Sequence, residues 1–141
     1  MTVTDTATLL GGSAVLGRSI DSDLDLVEAV EEGLPAGVVE NLLRHIDLTA
    51  SDIHAILPER TRHHTRNRDR LTPELSDRIA RFARLYQMAS ETLGSSDKAA
   101  RWLKEPNRAL GGRRPLDFAR SSSGALLVED VLTRIAYGVY S

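Results

Sequence analysis

The 141-residue sequence has no cysteine, one tryptophan and two phenylalanines. The absence of thiols excludes thiol catalysis, disulfides, iron–sulfur ligation and Cys-type zinc sites, and it fits a cytoplasmic protein. At this length a single hydrophobic core needs no covalent staple. Long apolar runs are also missing: Gly124 to Val128 is typical, and no positive charge precedes Arg18. Neither a membrane-spanning helix nor a secretory signal is therefore expected. Strand-type alternation is absent as well, which leaves an all-α fold class.

Motifs for chemistry are equally scarce. The four histidines, His45, His54, His63 and His64, form no HxxxH or HExxH pair, so no metal is expected. Gly12, Gly17, Arg18 and Ser19 have the spacing of a phosphate-binding loop. That loop needs a buried strand before it, and here only eleven polar-leaning residues come first. No Ser–His–Asp arrangement or paired-carboxylate signature stands out. The expectation is a protein that is not an enzyme and needs no cofactor.

What the chain does hold is a concealed charge asymmetry. Its net charge is −2, yet residues 1–59 carry two basic groups against eleven acids, a net of −9. Residues 60–84 hold eight arginines against Asp69, Glu74 and Asp77, a net of +5, and the remainder carries +2. All but two of the eighteen basic residues are arginine, whose forked guanidinium suits bidentate contacts to phosphates and guanines.

Apolar spacing and punctuation divide the chain. Residues 1–22, rich in Thr, Ser, Gly and Asp, read as a flexible N-terminal arm. Leu24, Val27, Ala29 and Val30 suggest a helix ended by Gly33. A second helix from Pro35 to about Asp47 places Val38, Val39, Leu42, Leu43 and Ile46 on one face. Thr49 or Ser51 caps a brief third helix that carries Ile53, Ile56 and Leu57. Glu59 to Arg70, ERTRHHTRNRDR, has no large apolar residue. Thr72-Pro73-Glu74 then starts the longest helix, with Leu75, Ile79, Phe82, Ala83, Tyr86, Ala89 and Leu93 in period before Gly94. Ser96 or Asp97 opens a short helix through Trp102 and Leu103. The last helix, from about Ser123 to Tyr137, is expected to bury Leu127, Val128, Val131, Leu132 and Ile135.

Two short helices around a tight turn, followed by a basic segment, are the outline of a helix-turn-helix. Arg60, Arg62, His63, His64, Arg66, Arg68 and Arg70 are then the candidate DNA-binding residues, divided between phosphate positioning and base-edge contacts.

LTASDIHAILPERT (Leu48 to Thr61), RLTPELSDRI (Arg70 to Ile79), WLKEPNRALGGRRPLDF (Trp102 to Phe118) and RIAYGVYS (Arg134 to Ser141) resemble the Xre/MbcA/ParS antitoxins, which are encoded beside RES-domain toxins. The similarity spans about residues 34–141. It implies a helix-turn-helix region over 23–94 and a small helical toxin-binding domain over 95–141. It further implies a homodimer that represses its own operon and blocks an NAD-depleting RES-type toxin by inserting its C-terminal end at the toxin's active site. On this pattern the toxin-binding residues are Trp102, Arg113, Arg134, Tyr137, Val139, Tyr140 and Ser141. Two of the three tyrosines fall in the last five residues, at and past the end of the final helix, where aromatic rings with polar tips suit insertion into a partner's cleft. One departure is Arg62, at a position commonly leucine in this family. It leaves the basic segment polar all round and marginal as an isolated helix. The alternative reading is a stand-alone helix-turn-helix regulator without a toxin partner.

Overall fold

A computed structural model describes residues 3–57 and 69–138, with no strand among them. The described α-helices are α1 (Val3–Leu9), α2 (Gly12–Leu16), α3 (Asp23–Glu32), α4 (Gly37–His45), α5 (Ala50–Ile56), α6 (Pro73–Leu93), α7 (Ser96–Lys104) and α8 (Ser122–Ala136). Two 3₁₀ helices, Arg108–Leu110 and Pro115–Arg120, lie between α7 and α8. The fold is all-α.

Helix starts follow local chemistry. Ser22 and Asp25 form a capping box on α3, and Thr49 and Asp52 form another on α5, each satisfying two backbone donors. Thr72 caps α6 with Pro73 behind it, Ser95 caps α7 and Ser121 caps α8. The α3 carboxylate that closes its box, Asp25, has its pKa lowered chiefly by the Asp21 backbone N–H.

The core is organised on α6. Leu75, Ile79, Phe82, Ala83, Leu85, Tyr86 and Ala89 are all buried, because α1, α3, α5, α7, α8 and the second 3₁₀ helix pack around this one rod. Ser76, buried on the same helix, accepts the Leu34 N–H at 2.7 Å, so the loop after α3 has its donor satisfied inside the core. From α4, α5 and α8, Val38, Leu42, Ile53, Ile56, Val128 and Leu132 join the same apolar cluster.

Three expectations are corrected. Residues 1–22 are not a free arm where described: α1 and α2 are helical, and Ala7, Leu10, Leu16 and Ile20 are buried in the common core. These helices are too short to stand alone, and tertiary contact supplies their stability. Asn41 Nδ2 donates to the Leu9 carbonyl at 2.8 Å and Gln87 Nε2 to that of Asp5 at 3.2 Å. On α8, Ala125 is buried and Leu127 is left exposed. The apolar stripe is narrower than the run GALLV suggests, since α8 is covered by α6 and the 3₁₀ helices and left open at Leu126 and Leu127. Leu24 and Val27 of α3 are also exposed, and Ala29 carries the burial there.

Replacing Leu10, which is fully buried, by alanine is expected to lower stability by about 2–5 kcal/mol in urea unfolding, the range for deleting a core leucine. An unchanged midpoint would return the N-terminal segment to a free arm.

Candidate DNA-binding segment and partner-binding surfaces

Helices α4 and α5 are joined by a turn over 46–49, with Ile46 N–H bonded to the Leu42 carbonyl at 2.9 Å and Leu48 N–H to that of Ile46 at 2.7 Å. The buried side chain of Leu57 follows α5 and holds the point where the chain leaves toward the arginine segment. Arg60, Arg62, His63, His64, Arg66 and Arg68 lie outside the described residues, so the structure gives them no position.

The returning end of that segment is clipped to the loop between α3 and α4. Ala36 N–H donates to the Asp69 carbonyl at 3.0 Å, Leu71 N–H to that of Leu34 at 2.7 Å, and Arg70 Nη1 to that of Gly33 at 2.9 Å. Arg70, expected among the DNA-facing cations, thus spends one donor in holding the fold together. Gly33 sits at φ +94°, and a Cβ there would run into the Leu71 carbonyl oxygen, so only glycine allows this approach.

The C-terminal half presents a built loop. Asn107 accepts at its side-chain oxygen from Ala109 N–H (3.0 Å) and at its carbonyl from Leu110 N–H (3.0 Å) and Gly112 N–H (2.9 Å). Its own N–H donates to the Arg113 carbonyl at 3.0 Å. Gly111 and Gly112, at φ +69° and +81°, reverse the chain, and the exposed Arg113 guanidinium lies 4.6 Å from the Phe118 ring centroid, a cation–π contact. Of the other expected toxin-binding residues, Trp102 is partly buried and packs on the core. Arg134 pairs with Asp130 at 3.2 Å along α8. Tyr137, just past α8, is 80% exposed, so this ring is not consumed by the protein's own core. Val139, Tyr140 and Ser141 lie outside the described residues.

Sequence reading missed two cations that join the halves. Arg114 Nη1 donates to Asp52 Oδ1 at 3.1 Å, 62 residues away, while Nη2 donates to Asp117 Oδ1 at 3.1 Å. The Asp117 hydrogen bond raises the Arg114 pKa above its ordinary value, with Asp52 adding to the effect. Lys104 Nζ, at the end of α7, donates to the Asp47 carbonyl at 2.6 Å. The Arg113-Arg114 doublet before Pro115 marks the region in the sequence, but nothing local names Asp52 as its partner.

A separate cleft of about 700 Å³ runs between α1, α3, α6 and α8. Leu26, Val27, Val30, Ala125 and Leu126 line it, and Leu126 is 65% exposed. Asp23 and Glu31 stand on its α3 side and Arg81 and Arg84 on its α6 side. Among the described residues no helix is long and apolar enough to cross a membrane.

Comparison with known proteins matches two parts of the chain. Residues 25–84 match the antitoxin Xre-like helix-turn-helix domain, and residues 88–138 match the antitoxin Xre/MbcA/ParS C-terminal toxin-binding domain. A protein from Yersinia enterocolitica named antitoxin Xre is 32% identical over 120 residues, covering 82% of this chain and 81% of its own length. One of the same name from Photorhabdus laumondii is 34% identical over 116 residues (79% and 78%), and one from Pseudomonas putida is 32% identical over 118 residues (83% and 74%). With both domains matched in order and relatives aligned over most of their lengths, the chain belongs to the Xre/MbcA/ParS family of antitoxins.

Proposed function

We propose that this chain is the antitoxin of a type II pair that neutralises a RES-type, NAD-depleting toxin with its C-terminal end and represses its own operon in the cytoplasm. It performs no chemistry of its own. The observation that carries the reading is Tyr137, a large aromatic side chain 80% exposed at the end of the final helix, one residue before the Val139-Tyr140-Ser141 end. Aromatic side chains are enriched among the residues that dominate interface affinity, and the Tyr137 ring is available for such a contact. Arg113, fixed by its loop and by Phe118, Arg134 and the edge of Trp102 supply the remaining contacts to the toxin.

For DNA, Arg60, Arg62, His63, His64, Arg66, Arg68 and Arg70 form the contact segment, held at Leu57 on one side and at the 33–36 clip on the other. Phosphate contacts by such a cluster position the protein, and a subset of arginines reads base edges. Repression of an inverted-repeat operator asks for a two-fold pair of segments. The α3–α6–α8 cleft is the face we assign to that homodimer, which would bury its exposed Val27 and Leu126; Arg81 and Arg84 at its rim are paired within the protomer with Asp77 and Glu129.

Deleting residues 138–141 is expected to abolish protection of cells from the toxin encoded by an adjacent RES-type reading frame, with folding and DNA binding unchanged. Protection by the truncated chain would overturn the tail mechanism. Replacing Arg62, Arg66 and Arg68 together by alanine should lower the log–log salt slope of operator binding by about 0.9 for each phosphate no longer neutralised; an unchanged slope would place the DNA-binding surface elsewhere. Leu126→Glu is expected to convert the dimer to a monomer in analytical ultracentrifugation, and a dimer unaffected by it would move the interface off this cleft.

A further inference from the structure

The last helix leaves the second 3₁₀ helix through a corner with no spare room. Ser121 caps α8 by accepting the Gly124 N–H on its Oγ at 3.0 Å. A Cβ on Gly124 would run into the Phe118 carbonyl oxygen, a backbone atom that cannot rotate aside, so only glycine lets α8 start this close to the 3₁₀ helix. Arg81 of α6 spans the same corner. Its Nη1 donates to the Ala119 carbonyl at 3.1 Å, and its Nη2 donates to Asp77 one turn back and, at 3.4 Å, to Ser122 Oγ in the first turn of α8. The Arg81 side chain is only 18% exposed, so these contacts are little screened by solvent. The nearby Arg84–Glu129 pair, at 3.4 Å, has its guanidinium largely in solvent and adds little.

Phe118 belongs to both sides of the corner. Its carbonyl oxygen seats Gly124, and its ring centroid lies 4.6 Å from the Arg113 guanidinium. From the corner α8 runs fifteen residues to Ala136. That is about 22 Å, so a tilt of about 5° at the corner would carry the far end through about 2 Å. Val128, Val131 and Leu132 hold the middle of the helix in the core. The corner thus fixes how far the exposed Tyr137 ring stands from Arg113.

We propose that Gly124 and Arg81 are positioning residues for partner binding, setting the span between Arg113 and Tyr137 so that both reach one toxin surface at once. The inference rests on the functional reading above, in which those two residues contact the toxin. Neither Gly124 nor Arg81 makes a toxin contact in this arrangement. Two contacts held at a fixed span bind without the cost of ordering one against the other, and a wrong span forfeits one of them.

The test uses the full chain and the product of the adjacent RES-type reading frame, with affinity read by titration calorimetry and folding by urea unfolding. Gly124→Ala forces the start of α8 away from the Phe118 carbonyl while keeping every side chain of the partner surface. It is expected to weaken toxin binding by about tenfold, and the loss should shrink to less than about twofold when Tyr137 is already alanine, because a span with one end removed no longer matters. A change that merely loosened the fold would cost the same in both backgrounds. Arg81→Lys keeps a charge opposite Asp77 but loses the fork to Ala119 and Ser122. It should show the same dependence on Tyr137, and it provides a second variant if the first folds poorly. A folded variant of either kind that binds the toxin with wild-type affinity overturns the proposal, and so does a loss of equal size with and without the Tyr137 ring. Wild-type protein that fails to bind the toxin, or a Tyr137→Ala variant that binds it as tightly as wild type, would instead overturn the functional reading on which the proposal stands.

Discussion

The structure depends on burying α6 on almost every side. Phe82, Ile79 and Ala83 are fully enclosed, and elements from residue 3 to residue 136 take their places by covering this helix. A rod of 21 residues spans about 30 Å, enough to underlie both the helix-turn-helix and the toxin-binding segments. The two matched regions, 25–84 and 88–138, therefore meet on a single helix and share one apolar cluster. Motion of one half against the other would have to shear a core packed to crystalline density.

Much of this was legible because it is written locally. Thr49 and Thr72 with Pro73 announce helix starts through chemistry confined to three or four residues. The period of Leu75, Ile79, Phe82 and Tyr86 identifies the central helix without reference to anything it touches. Tyr137 was legible for a related reason: an aromatic residue at the end of a periodic stretch has no place on the helix's own buried stripe.

The rest failed where stability comes from a distance. Helices α1 and α2 are of seven and five residues, below the length at which propensity or periodicity carries a signal, and they exist because Leu10 and Leu16 find the core. Leu127 and Val27 looked equivalent to their buried neighbours, and only the direction from which α8 and α3 are covered separates them. Arg114 and Lys104 read as two more charges in a basic region. Their meaning lies in Asp52 and Asp47, which periodicity and spacing cannot pair with them.

Charge gains its meaning from this arrangement. The protein as a whole is weakly acidic, so long-range attraction to a nucleic acid is small, and at physiological salt fields decay within about 8 Å. Part of the acidic surface is internally spent: Arg18 bridges Glu28 and Glu32 of α3 at 3.2 and 3.3 Å. An arginine segment in such a molecule cannot rely on steering, and its affinity has to come from close, forked contacts made in the correct register. Register is set by where the chain leaves α5 and where it returns at Asp69. The Gly33–Leu71 approach and the Lys104 and Arg114 contacts to the α4–α5 turn therefore fix the two ends between which the arginine segment runs.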